Sequence, residues 1–227
     1  MPQELRQSML SLEMQVKDRY KYFKLERTMS LEKIETSLIG IEGHIKICDL
    51  DSGEVLMRRR NAINYENMSI AIASLLANES GATSTHQIAT MRFGNGGTTI
   101  DGLGAVTYKA TNTNSSSGAL YNQTFSQAVD ETVTGSALNG TEIAHTTPNT
   151  YSDVIITCTL DYGSVTGQDT LDTATNMNGT YVFDELAVYS GNNDMLTHVV
   201  FHPVQKSANR KIQVIYTLRI RSSFADL

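Results

Sequence analysis

Residues 210–223 read RKIQVIYTLRIRSS. Ile212, Val214, Tyr216, Leu218 and Ile220 alternate with Lys211, Gln213, Ile215, Thr217 and Arg219, with Arg219 and Arg221 outward. A period of two places the first set on one face of an extended chain. That pattern predicts an antiparallel strand with one buried side. The same signature recurs upstream in TYSDVIITCTLDYG (150–163), TYVFDELAVYSG (180–191) and DMLTHVVFHPVQKS (194–207), the last two separated by a turn at Gly191–Asp194. HIKICDLDSGEVLMRRR (44–60) reads as a hairpin, two apolar runs around Asp51-Ser52-Gly53. Many short strands punctuated by turns predict a mainly β protein: an antiparallel β-sandwich with one short inserted helix and an N-terminal helical extension.

The inserted helix comes from NAINYENMSIAIASLLANE, beginning at Asn61. Asn64 stands ahead of the apolar periodicity as an N-cap, Glu66 sits near the positive helix end, and Met68, Ile72, Leu75 and Leu76 form a core-facing stripe over residues 64–77. The chain then enters a strand at Ile88–Phe93. This ends on Gly94, Asn95, Gly96, Gly97, read as a turn that needs positive φ. The helix is expected to plug one open end of the sandwich, and the turn to re-aim the chain. Strands are expected near Gly104–Ala110 and Leu120–Phe125, joined by an exposed loop, with residues 111–150 forming a polar loop region.

Residues 1–38 are the charged part. Leu5, Met9, Leu12 and Val16 keep a heptad-like spacing that Tyr20 and Phe23 continue loosely, while Arg19 and Arg27 interrupt it. Thr28 or Ser30 caps a second short helix carrying Leu31, Ile34 and Leu38. Such an arm either folds back on residues 39–227 or makes an inter-subunit contact through Leu5, Met9, Leu12, Val16, Tyr20 and Phe23.

Net charge is −6, which argues against a nucleic-acid binder that works by neutralising phosphates. Cys48 and Cys158 lie in apolar runs and read as buried free thiols. The first residues, MPQELRQSML, lack the apolar core of a secretory signal, and no apolar run approaches the roughly 20 residues that cross a bilayer. No membrane partner is expected.

Reaction chemistry is hard to find. Asp49, Asp51 and Glu54 imitate a calcium loop but lack its glycine position and distal glutamate, so a tight hairpin turn explains them. His198 and His202 have metal-like spacing without an obvious third ligand; His44, His86 and His145 are scattered, with no carboxylate or thiol partner at a recognisable spacing. The glycine turn has no Walker Lys-Ser/Thr, and the helix precedes the strand, the wrong order for a phosphate loop. Asp184 and Glu185 are adjacent in a strand and so point to opposite faces. Arg58-Arg59-Arg60 reads either as a solvated strand end or as a docking site for an acidic partner. No catalytic residue, cofactor or metal is expected.

One resemblance rests on an ordered series: Asn61-Ala62-Ile63-Asn64 leading into the helix, Phe93-Gly94-Asn95-Gly96 in Met91–Thr98, Asp184–Gly191, Val199–Ser207, and the alternating strand Lys211–Arg221. Over roughly residues 40–222 the series resembles small virion structural proteins of tailed, myophage-like bacteriophages, from the tail, neck, baseplate or fibre-attachment region. The resemblance implies a β-rich module that assembles as a symmetric oligomer, without catalytic residues, its partners being itself and other virion proteins. A capsid decoration protein is one alternative. The other is a receptor- or carbohydrate-binding module using Thr111–Ser117, Tyr108 and Tyr121.

Overall fold

In the computed structural model the described residues are 36–77, 79–81, 85–113, 118–131, 138–170 and 179–225. Nearly all belong to one compact unit, Ile39–Ser222. The arm residues Leu5, Met9, Leu12, Val16, Tyr20 and Phe23 lie outside the described residues, as do the proposed caps Thr28 and Ser30. Leu38, assigned above to a short helix, is instead inside the first strand, β1 (Thr36–Asp49).

β1 turns through residues 50–54 into β2 (Val55–Ile63), and Gly53 supplies the positive φ of that turn. Helix α1 (Tyr65–Leu76) follows immediately. Then come β3 (Ile88–Gly94), a small hairpin of β4 (Thr98–Ile100) and β5 (Val106–Tyr108), β6 (Gln123–Ala128) and β7 (Asn139–Ala144). Four long strands finish the chain: β8 (Tyr151–Leu160), β9 (Val182–Ser190), β10 (Met195–Gln205) and β11 (Ile212–Ala225). The described residues of 111–150 therefore hold two strands, β6 and β7, and Leu120 precedes β6 rather than starting it.

Nine strands form one sheet in the order β6-β3-β9-β10-β2-β1-β11-β8-β7. β2 is its corner. It pairs with β1 through Val55–Asn61 and then with β10 through Ala62 and Ile63. β11 and β1 run in opposite directions, since Leu50 N–H donates to Lys211 O while Arg221 meets Glu42 at the far end. The two edges approach each other where Thr141 donates from N–H to Glu131 O (2.8 Å) and from Oγ1 to Val129 O (2.9 Å). The result is a large, antiparallel, nearly closed sheet. Near-closure hides the edge amides that would otherwise invite strand addition.

The core lies inside this sheet. Ile212, Val214, Tyr216 and Leu218 are all buried, as the alternation requires, opposite Ile45, Ile47, Ile156 and Phe201. At Gly43 an added Cβ would run into the Tyr216 hydroxyl, which accepts from Asn61 Nδ2 at 2.9 Å. Burial pushes that phenol up to about 12. The Asn64 side chain caps α1 by accepting from Asn67 N–H, and Asn67 Nδ2 donates to Met195 O at 2.9 Å, fastening the helix to the start of β10. Met68 and Ala71 face the core and Ile72 packs beside it. Leu75 and Leu76, expected in the same stripe, are 42% and 80% exposed, because only the first two turns of α1 lie against the sheet.

Both cysteines are free and buried, Cys158 completely, and burial pushes its thiol well above the usual range. Neither thiol should react with a thiol-specific reagent in the native protein, and both should react together on unfolding. A fast-reacting thiol at neutral pH would contradict the packing described.

Candidate functional site

The densest buried polar cluster joins the glycine turn after β3 to the middle of β9. Glu185 has no solvent exposure and Asp184 only 3%. Glu185 Oε1 accepts from the amides of Asn122 (2.8 Å) and Gly96 (3.2 Å); Oε2 accepts from Tyr121 N–H (2.9 Å). Asp184 Oδ1 accepts from Gly97 N–H (2.8 Å), and Oδ2 from both the amide and the hydroxyl of Thr98. Although neighbours in one strand, the two carboxylates bind the same turn.

His198, fully buried on β10, completes the cluster. Its Nδ1 accepts from Asn112 N–H (3.0 Å), so the ring proton sits on Nε2 and is donated to Glu185 Oε2 at 3.2 Å. The register explains the meeting. A bulge between Met195 and Thr197 sets Val200 opposite Glu185, and His198, two residues along, shares its face. Without that extra residue His198 would point to the other side. His202, four residues along, is exposed, with its Nδ1 3.4 Å from the Tyr108 hydroxyl. Of the two histidines that spacing made metal-like, one is thus buried on Glu185 and the other exposed beside Tyr108.

Burial pushes the Glu185 carboxyl up, but the hydrogen bond from His198 and the amides of Asn122 and Tyr121 outweigh it and hold it below the ordinary glutamate value. Asp184 goes the other way. Burial, helped by the Glu185 charge, keeps it above the ordinary aspartate value despite its hydrogen bonds to Thr98 and Gly97.

The glycines of the turn do not serve the purpose first assigned to them. None of Gly94, Gly96 and Gly97 has positive φ. They are required by close approach: a Cβ on Gly94 would stand 2.5 Å from both Asn122 O and Glu185 Oε1, and one on Gly96 2.8 Å from Asn122 N.

Other candidates resolve into scaffold in the same way. Asp49 Oδ1 accepts from Asp51 N–H and Ser52 N–H, closing the β1–β2 turn, and Arg210 approaches its other oxygen at 2.8 Å. Despite the cost of burial, these bonds hold its carboxyl below the usual range. Lys206 is buried with its ammonium donating to Gln168 Oε1 (2.9 Å), Ser207 O (2.8 Å) and Tyr162 O (3.3 Å). Two histidines read as lacking carboxylate partners have them: His44 meets Glu42 at 3.4 Å and His86 meets Glu79 at 3.9 Å. The tyrosines of the carbohydrate reading each have a cation over the ring, Arg59 over Tyr108 and Lys109 over Tyr121. Among the described residues no group of three or more His, Cys, Asp or Glu is arranged to hold a metal ion, and no helix is long and apolar enough to cross a membrane.

The chain matches no known family model, no characterised protein and no solved structure.

Two predictions follow from this geometry. Gly94→Ala should cost at least about 2 kcal/mol in chemical denaturation, whereas Gly102→Ala, in open space, should stay within about 0.5 kcal/mol. Glu185→Gln should cost about 2–3 kcal/mol at neutral pH, because an amide nitrogen must then face a donor. Since the folded Glu185 value is depressed, its contribution is present above the unfolded value near 4.5 and is lost as pH falls through the folded value. The acid limb of the stability curve should therefore be shallower in Glu185→Gln than in the parent.

Proposed function

We propose that this chain is a non-enzymatic structural protein of a tailed-bacteriophage particle. In this reading it is a β-sandwich, two halves of the nearly closed sheet packed face to face, that builds an oligomeric tail, neck, or baseplate and fibre-attachment component. The observation that carries the reading is the union of two motifs behind the resemblance. Phe93–Thr98 and Asp184–Gly191 are bound to each other through the buried carboxylates, so the resembling residues are the framework itself. Every oxygen of Asp184 and Glu185 accepts a hydrogen bond from the protein, and so their chemistry is spent on holding backbone.

The surface supports assembly with further copies. Ile39, Tyr65 and Leu76 are 59%, 67% and 80% exposed and line one apolar groove of about 420 Å³ beside α1. Contiguous exposed apolar surface of this kind is what a subunit contact covers. A second copy of the chain is the occupant that fits a homo-oligomer. The same reading gives residues 1–38 to inter-subunit contact.

Native mass spectrometry tests it. The full chain should form an oligomer of defined subunit number and enter purified particles in fixed stoichiometry. Leu76→Asp, at an exposed position, should lower the subunit number while leaving the unfolding midpoint within a few degrees, and deletion of residues 1–38 should also reduce assembly. A monomeric parent chain, or an oligomer indifferent to both changes, would sink the proposal.

A further inference from the structure

The outer face of β2, β1 and β11 divides into two halves with opposite electrostatic character. Along β11 the charges are matched: Arg219 binds Asp153 of β8 through two hydrogen bonds of 2.7 Å, and Arg221 meets Glu42 at the start of β1 at 3.4 Å. Farther along β1 and β2 they are not. The register sets Lys46 directly opposite Arg58, with Arg60 two residues on across from His44, whose ring meets Glu42. Lys46, Arg58 and Arg60 make no ion pair with any carboxylate among the described residues. Arg59, on the alternate face, is different, donating to Val200 O and covering Tyr108.

Like charges directly opposite in an antiparallel pair destabilise it. Acidic residues outnumber basic ones in this chain, 24 to 18, so the lack of compensation is local and not a shortage of carboxylates. Lys46, Arg58 and Arg60 border a groove of about 630 Å³ whose side is Ile215 and Thr217 of β11. We infer that this groove docks an extended acidic segment of a partner protein.

The groove favours a polypeptide over a nucleic acid. Its lining contains no Tyr or Phe on which a base would stack, and Ile215 offers an apolar contact instead. Arg58 and Arg60 are two residues apart on one strand face, roughly 7 Å, the same spacing that alternate carboxylates have along an extended peptide. Planar guanidiniums take carboxylates in a two-pronged fashion, as Arg219 already does with Asp153 on the same sheet. An acidic strand laid over β2 would thus relieve the repulsion that folding leaves in place. This inference stands on the charge pattern and the register, and does not depend on the particle reading.

The test is fluorescence anisotropy with a labelled peptide of about ten residues carrying Glu at alternate positions, Thr and Val between, in about 50 mM salt. Saturable binding is expected, weakened roughly tenfold or more by Arg58→Gln/Arg60→Gln, several-fold by Lys46→Gln, and strongly by about 500 mM salt. Lys109→Gln, a cation elsewhere on the surface, should leave binding unchanged. The double variant should unfold at the same temperature or higher, since it removes a repulsion rather than a support. A Gln-for-Glu peptide binding equally well would overturn the inference. So would a thymidine oligonucleotide of equal charge binding as tightly, failure of the Glu peptide to bind the parent chain, or indifference to both groove variants.

Discussion

The rest of the structure depends on one buried carboxylate. Glu185 lies in β9, in the middle of a run in which every residue from Val182 to Ser190 is buried. Two of its neighbours in space, the turn at Gly96 and the approach to β6 at Tyr121–Asn122, have backbone amides with no ladder partner there. Their partner is an anionic acceptor inside the protein. Glu185 supplies it for all three, and His198 brings β10 into the same network. Four separate segments, β3, β6, β9 and β10, are thereby held in one relative position. Hydrophobic burial alone would press them together without fixing their registers.

Placing a second carboxyl beside the first has a cost. Asp184 is held above its ordinary value by burial and by the Glu185 charge, while Glu185 is held below its own. Near neutral pH the two act in opposite directions on stability: Glu185 favours the folded state and Asp184 opposes it. The turn nevertheless needs both, because Gly96 reaches only Glu185 and Gly97 and Thr98 reach only Asp184. The glycines make that double grip sterically feasible. With a side chain at Gly94 or Gly96 the backbone could not come close enough for the carboxylates to bind it.

What the sequence made legible was whatever rests on local rules. The alternation from Ile212 became a buried face as far as Leu218, with Ile220 half-buried at the strand end, and Asn64 caps α1 through the third residue after it. The misreadings arise where a long-range decision overrides the local one. Leu75 and Leu76 have helical spacing, but spacing says nothing about where the supporting sheet stops. Positive φ is the common local reason for a glycine, but at residues 94–97 the reason is close approach to a strand distant in sequence. Glu185 and His198 could have been paired from the β9–β10 turn only by anticipating a bulge, since the unbulged register puts them on opposite faces. A single inserted residue of that kind has no reliable mark in the letters.

The same distinction governs the outer face of the sheet. Arg58, Arg59 and Arg60 are one triplet in the sequence and three different things in the fold. The pleat sends Arg59 to the side facing Val200 and Tyr108, where it is hydrogen bonded, and leaves its neighbours on the opposite side across from Lys46 and His44. Folding gains nothing from setting Arg58 across from Lys46, whereas two strands away it matched Arg219 to Asp153 with both guanidinium bonds made. A sheet that compensates its charges in one half had acidic residues to spare for the other. Among the described residues the strip is uncompensated, and that makes it informative about a partner in a way that the raw count of arginines is not: carboxylates brought by a partner would offset its cost.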